Sequence, residues 1–466
     1  MQKPMAGMII MIICLSASLC NAQKKTVLFK SGGRVNYNIT SEQEKMIDSI
    51  QHKAFLFFLN EHHPEKGIVK DRTADWAPAS IASTGFGIVS FAIGSQRKWI
   101  SREEASGITL NILKFFVNSV QSNSNNVTGY KGFYYHFLKM DSGTREWNCE
   151  LSSIDTGLLM MGIIFARNYY NNDNETEKQI RVIASKLLQR VDWNFMAMAD
   201  TGKYAHTISM GWYPDKGLHE MGWSGYNEAL FLYVLAAGSG MKNAEAGYKT
   251  WLSTYNWYTP YPGLSHVAFP PLFGHQFSEA FIDFRGVTDS YLKSRGIDYF
   301  ENSRRATLVQ RKYTIDNPHG WKGYDSLCWG ISASDGPGEK YNFADKKFIA
   351  YAGRGTSGPN LNYFDDGTIA PYASLSSLPF APEIVLPTIK SINEKYGKGL
   401  WGKYGYFDSF NPTLDWYNND YVGIDQGPLL LMVENFRTGL VWDYMMKDEI
   451  IQKGLNRLGF EYLKPQ

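Results

Sequence analysis

Cysteine is scarce in this sequence: there are four in 466 residues, and Cys14 and Cys20 fall within the first 22 positions. The remaining pair, Cys149 and Cys328, could close one disulfide but cannot build a framework. Neither has a second Cys or a His at metal-ligand spacing, so both read as buried thiols. An excess of one charge is also missing, because the formal net charge is only +2. Nucleic acid is thereby excluded as a main partner, since counterion-driven binding needs a basic face. No run approaches ~20 uninterrupted apolar residues, so no membrane span is expected. HExxH, EF-hand and P-loop patterns are absent. His62 and His63, beside Glu61 and Glu65, lie in a polar stretch and read as solvated, so no metal and no cofactor are expected.

The N-terminus has the pattern of an export signal. Lys3 precedes the apolar run Met8 to Leu15, and the small residues Cys20 and Ala22 suit cleavage after Ala22. Residues 1–22 therefore read as a signal peptide, with periplasmic export the expectation and a lipid anchor on Cys20 the alternative. Residues 23–40 are polar and read as an N-terminal arm, and 41–466 as the main domain.

Alternating strands do not separate the later segments, which disfavours a βαβ architecture. Helical signals dominate instead. Ser41-Glu-Gln-Glu44, Ser101-Arg-Glu-Glu104 and Thr176-Glu-Lys-Gln179 are capping boxes, each ahead of an apolar-periodic run. Further helices are expected near 82–95, 151–170, 225–237, 243–254, 278–292, 298–312, 378–396, 425–437 and 446–458, about a dozen in all. The segment 151–165 is apolar on most of its circumference, as an inner helix covered by an outer ring would be. The pattern predicts an all-α fold, an (α/α) barrel, with long loops and a few short hairpins, one of them around 128–147. The loops 255–276, 313–323, 333–377 and 397–423 are long and aromatic, a mark of functional segments.

Aromatic residues are abundant: 13 Trp, 29 Tyr and 27 Phe make 15 % of the chain. Many must fill the core, but Trp and Tyr join a flat apolar face to a polar edge, which suits stacking on sugar rings. Against this background stand three isolated carboxylates. Asp155 lies in Leu151-Ser-Ser-Ile-Asp-Thr-Gly-Leu-Leu159, Glu228 in Gly222-Trp-Ser-Gly-Tyr-Asn-Glu-Ala-Leu230, and Asp425 in Val422-Gly-Ile-Asp-Gln-Gly-Pro-Leu-Leu430. None of these stretches contains Lys or Arg. On a helix Asp155 would share its face with Leu158 and Leu159, and Glu228 with Phe231 and Leu232. Desolvation raises a carboxyl's pKa, which is what a general acid needs near neutral pH. A helix cap would account for any one of the three; together they point to a site.

These stretches, with Ser332-Ala-Ser-Asp-Gly-Pro337, Asp366-Gly-Thr-Ile-Ala-Pro371 and Pro379-Phe-Ala-Pro382, come in an order that resembles the glycoamylase-like family. That family includes bacterial β-1,2-glucanases of glycoside hydrolase family 144, and members also bear the label "putative glucoamylase". The resemblance runs from about residue 45 to the C-terminus. It implies an (α/α)6 barrel and hydrolysis of β-1,2-glucan with inversion; a glucan or its oligosaccharides is the expected partner, and a monomer the expected state. Inverting hydrolysis needs one protonated carboxyl and one carboxylate that activates water. Glu228 is the expected acid, and Asp155 and Asp425 share the expectation of the base.

Trp223, Tyr226 and Trp416 are candidates to border the sugar, and Glu150, His136, Asp283, Arg285, Arg72, Arg354 and Asp335 to reach it. Asp283 and Arg285, two apart, would point differently on a helix, and a structural ion pair is their competing reading. A glucoamylase-like hydrolase of another glucan linkage, a polysaccharide lyase using Tyr135 or His136 as base, and a non-catalytic glycan-binding protein remain the alternatives.

Overall fold

The computed structural model describes residues 26–341, 343, 346–356 and 363–464. The expected signal peptide lies outside them. Helix dominates. The helices are α1 (Ser41–Asn60), α2 (Ile81–Gln96), α3 (Arg102–Asn118), α4 (Ser153–Tyr169), α5 (Glu175–Arg190), α6 (Leu230–Gly238), α7 (Ala244–Ser253), α8 (Phe277–Phe281), α9 (Ser290–Lys293), α10 (Tyr299–Asp316), α11 (Pro371–Leu375), α12 (Pro382–Leu400), α13 (Gly423–Arg437), α14 (Leu440–Met445) and α15 (Glu449–Arg457).

They fall into two kinds. In α2, α4, α6, α8, α11 and α13 nearly every residue is buried, whichever way it points. By contrast α1, α3, α5, α7, α10 and α12 bury one face and leave the other in water. The apolar circumference read from 151–165 is thus a property of six segments. The most extensive packing joins α2 to α4, and α2 also packs on α13. Glycine makes the α2–α4 approach close. A Cβ on Gly85 would stand 2.5 Å from the Leu158 carbonyl oxygen, and one on Gly162 would stand 2.3 Å from that of Gly85. With no side chain at either crossing point, the two backbones touch.

The capping signals are off by a residue or two in places. The first box is built by Thr40 and Gln43, not Ser41 and Glu44, and α5, the helix after the third box, is capped by Asn174, not Thr176. Ser101 caps α3 as expected. The helix anticipated over 278–292 breaks into α8 and α9. Asp283 and Arg285 occupy the break, where Gly286 takes φ +70°. They form a bidentate ion pair at 2.6 and 2.7 Å, Asp283 accepts from the Gly32 amide, and Arg285 donates to the Gly33 carbonyl. Val27 and Phe29 bond to the side chains of Asn456 and Gln452 on α15, and Val35 to the Phe436 carbonyl. The pair fastens the arm, so the structural reading replaces that of a substrate contact.

Strands are short. A five-stranded antiparallel sheet runs in the order Gly129–Tyr130, Phe133–Tyr135, Leu151–Ser152, Gly211–Tyr213, Gly217–Leu218. It includes the hairpin region anticipated at 128–147, and its third strand leads straight into α4. Cys149 and Cys328 are both free thiols, Cys328 buried and Cys149 partly so.

If the α2–α4 crossing depends on absent side chains, Gly85→Ala lowers stability by about 1–3 kcal/mol through overpacking. Gly107→Ala is the control. Its Cβ would meet nothing within 4 Å, so removing a helical glycine there stabilises by roughly 0.4–1 kcal/mol. Denaturant unfolding of both variants measures the difference.

Candidate active site

A cleft of about 650 Å³ opens where the N-termini of buried helices meet. Ser80, the N-cap of α2, lines it, as do Ser152, Ile154 and Asp155 at the start of α4. Glu228, two residues before α6, and Val422 and Ile424 at the start of α13 complete this ring. Helix N-termini carry partial positive charge, which favours carboxylates. Asp155 and Asp425 each occupy the third position of their helix. The Ser152 hydroxyl accepts from the Asp155 amide and donates to Asp155 Oδ2 at 2.6 Å. Asp155 is thus both a helix-start residue and a wall of the cleft.

Glu228 sits in the turn ahead of α6, so the helical face expected with Phe231 and Leu232 does not exist. Burial pushes its carboxyl up to about 7, and the charge of Asp155 adds to the rise. Burial also raises Asp155, against the opposing pull of His136 and Ser152. His136 lies between two acids, Nδ1 at 2.9 Å from Glu150 and Nε2 at 3.6 Å from Asp155. Burial alone would lower its pKa, but Asp155, Glu150 and Asp71 together lift it to about 9. Burial pushes Glu150 up, but the bond and charge of His136, with the Glu150 backbone amide and His219, together leave it below its usual value. His136, Glu150 and Asp155 offer ligand atoms within 4.8 Å of one another, the spacing of a cation site. The imidazolium already supplies a positive charge between the carboxylates, so the donor set holds a proton where a metal would have to displace it.

Arg72, also in the cleft lining, reaches Asp335 at 2.9 Å, Asp71 at 3.2 Å and Asp420 at 3.6 Å. Asp335 accepts from Asn418, and its amide donates to Asp408. Asp408 and Asp425 are buried partners that share a proton: burial raises Asp408 to about 6 and Asp425 well above the carboxylate range. Asp425 is not itself on the cleft surface. It lies behind Val422, Ile424 and Tyr351, and its charge is the strongest one acting on the Tyr351 phenol.

The cleft therefore gathers Glu228, Asp155, Glu150, His136, Trp223 and Arg72 from the sequence candidates, with Asp335 and Asp425 directly behind. Trp223 donates from its indole to Ser153. Five candidates lie elsewhere, Asp283 and Arg285 in the arm clasp already described. Tyr226 is buried among Trp251, Tyr255, His275 and Tyr299, turned into the core. Trp416 belongs to the hairpin pairing Phe410–Asn411 with Trp416–Tyr417. Arg354, also weighed from sequence, is fully buried and clamped on Asp366. Asp71, Asp408, Tyr213, His219, Trp76 and Trp147 were not singled out, since none of them stands in a local motif, whereas Tyr351 falls in the aromatic segment 333–377 expected to be functional.

A helical protein with an acid-lined, aromatic-walled cleft at the ends of its buried helices is the class these features define. Comparison with known proteins narrows it. The Glycoamylase family model, described as "Putative glucoamylase", matches residues 220–449. A crystal structure named as a putative glucoamylase from Bacteroides uniformis is 31% identical, covers 91% of this chain and 99% of its own, and superposes with a TM-score of 0.78. The chain belongs to this glycoamylase-like family. It is also similar to the endo-β-1,2-glucanase of Chitinophaga pinensis, solved with sophorotriose and glucose. That protein is 26% identical over 91% of this chain and 99% of the other, with a TM-score of 0.78. A curated relative, the exo β-1,2-glucooligosaccharide sophorohydrolase (non-reducing end) of Parabacteroides distasonis, is 27% identical over 91% of this chain. The present chain spans 58% of that relative's length.

Because folded Glu228 holds its proton up to about pH 7 and an unfolded glutamate releases it near 4.5, stability contributed at that position is lost as pH rises between the two values. Glu228→Gln cannot ionise. Its melting temperature relative to the parent should therefore be higher at pH 8 than at pH 4.5, as calorimetry at the two pH values would show.

Proposed function

We propose that this protein is a glycoside hydrolase of β-1,2-glucan that works by single displacement with inversion. The observation that carries the reading is Glu228, a cleft-lining carboxyl raised by burial to about 7 with the acid Asp155 beside it. It can hold a proton at neutral pH and give it to a glycosidic oxygen. The departing C–O bond breaks as that proton arrives. A carboxylate on the opposite face takes a proton from water, whose oxygen bonds to the anomeric carbon, so a β-linkage yields an α-configured product. The β-1,2 linkage is supported by what the relatives from Chitinophaga pinensis and Parabacteroides distasonis are named to act on.

The water-activating base is one of the two third-position acids. Asp155 lines the cleft, where burial raises its carboxyl and His136 pulls it back toward the charged form. Asp425 shares a proton with Asp408, so that pair keeps a negative charge while burying two carboxyls. The lyase alternative fares worse. Its base would be Tyr135 or His136; burial raises the Tyr135 phenol, and the His136 ring is held toward its protonated form by the acids around it.

The same proposal takes the scaffold as an (α/α)6 barrel. The six buried helices α2, α4, α6, α8, α11 and α13 form the inner ring, and α1, α3, α5, α7, α10 and α12 the outer one. Their contrast in burial supports this arrangement. Residues 1–22 are its export signal, 23–40 its arm and 41–466 its catalytic domain, acting in the periplasm.

Incubation with linear β-1,2-, β-1,3- and α-1,4-glucans, followed by chromatography, tests the substrate. Release from β-1,2-glucan is expected, and release from α-1,4-glucan alone would overturn the assignment. Glu228→Gln should lower turnover by about 10²–10⁴-fold while glycan binding survives. In the parent, turnover should decline as pH rises through about 7, where the acid loses its proton. Proton NMR of the first product formed should show the α-anomer.

For the base, Asp155→Asn and Asp425→Asn should differ in their response to azide. The variant lacking the base regains turnover and releases an α-glycosyl azide, whereas the other stays unrescued. If neither is rescued, both acids are positioning groups and the base lies elsewhere.

A further inference from the structure

Two of the largest exposed apolar side chains of the protein stand together at one end of the cleft. Trp76 is 66% and Trp147 52% exposed, although indoles are among the side chains with most to gain from burial. Their rings lie 6.3 Å apart at 44°. Both line the cleft, and neither contributes to the acid chemistry described above. Trp147 packs edge-on against Phe137 at 5.1 Å, and the Phe137 ring stacks on His136 at 3.9 Å. The order along this wall therefore runs from Asp155 through His136 and Phe137 to the two indoles.

The backbone beneath Trp147 is held in an unusual state. Its φ is +52°, a left-handed conformation that a bulky side chain rarely adopts and that persists only where surrounding contacts over-determine it. Those contacts are present. The Arg145 guanidinium donates to the Cys149 carbonyl at 2.7 Å and lies 4.6 Å over the Tyr135 ring, and the Glu146 amide donates to the Phe137 carbonyl. Trp76 is steadied from the other side, with the Arg72 guanidinium 5.7 Å from its ring and itself paired to Asp71 and Asp335. Two flat apolar faces are thus fixed in water at the mouth of a polar groove. Hydroxyl-binding groups flank them: Arg72, Glu150, Tyr213 and His219.

We infer that Trp76 and Trp147 form a stacking subsite for a glucosyl residue of the substrate chain, at the end of the cleft reached through His136 and Phe137. The inference rests on the glucan-hydrolase reading and adds to it a place where chain length is sensed. A sugar ring presents axial C–H bonds to an indole face while its equatorial hydroxyls reach the flanking polar groups. Fixing the rings beforehand removes the cost of ordering them on binding.

The test uses the intact protein with linear β-1,2-glucans of increasing length. Trp76→Ala and Trp147→Ala should each raise KM for long chains roughly three- to tenfold, the double variant more. The loss should be concentrated in KM rather than kcat and should shrink as the substrate is shortened. Trp147→Phe should recover part of the affinity, which a merely structural role of the side chain would not predict for substrate length. Unchanged melting curves would confirm that these exposed residues were removed without unfolding. Quenching of tryptophan fluorescence by long glucan should weaken in the double variant. If the parent hydrolyses β-1,2-glucan and the double variant keeps its KM at every length, the subsite is refuted and the hydrolase reading stands. If no linear glucan is cleaved by the parent or quenches its fluorescence, both fall together.

Discussion

The contact of α2 with α4 through Gly85 and Gly162 is the constraint on which the site depends. Two helices whose backbones meet at carbonyl distance cannot slide or rotate independently, so their N-termini are fixed relative to each other. Ser80 ends the loop into α2, and Ser152 and Asp155 open α4, which makes the cleft floor a direct extension of that crossing. Similar close approaches hold α13 to α2, where Gly427 faces Phe86 and Gly423 faces Ser83. The geometry of the acids is therefore set by the absence of side chains some distance from them.

Electrostatics then divides the acids among different fates. Helix N-termini favour negative charge, while burial opposes it, and the balance is decided by which cation reaches each group. Glu150 and Asp155 have His136. Asp71, Asp335 and Asp420 have Arg72. Asp408 and Asp425 have each other and solve the problem with a shared proton. Burial prevails on Glu228, as it does on Asp71 and Asp155 against the pull of their cations, and on Glu228 the negative neighbour Asp155 reinforces it. A cleft built in this way holds carboxyls in neutral, paired and proton-sharing states at a single pH, which general acid–base chemistry requires.

Much of this was legible in the sequence, and the failures have physical causes. Helix positions followed from apolar periodicity, and the fully buried helices from the loss of any polar face in segments such as 151–165. Asp155, Glu228 and Asp425 stood out because no local cation accompanied them, and all three come to the ends of buried helices. Boundaries slipped where a neighbouring polar residue could cap equally well, as at Thr40 and Asn174. Asp283 and Arg285 were ambiguous because their partner is the backbone of Gly32 and Gly33, some 250 residues earlier in the chain and without a side chain to signal it. Tyr226 was attractive through its neighbours in sequence, but the turn at Gly225, with φ +70°, is followed by a ring packed into the core. The residues with no forewarning, Asp408 and Trp147 among them, owe their positions to loops, where a single sequence carries the least information about direction.

The arm that runs along α15 and ends near the Phe436 carbonyl meets α13 at its C-terminal end, whereas the cleft opens at the N-terminal end of the same helix. The two ends of the described chain therefore come together on the side of the molecule away from the cleft. A surface or a fused partner attached at residue 26 would sit behind the molecule and leave the groove facing outward. Long polymers could then reach it without passing the point of attachment.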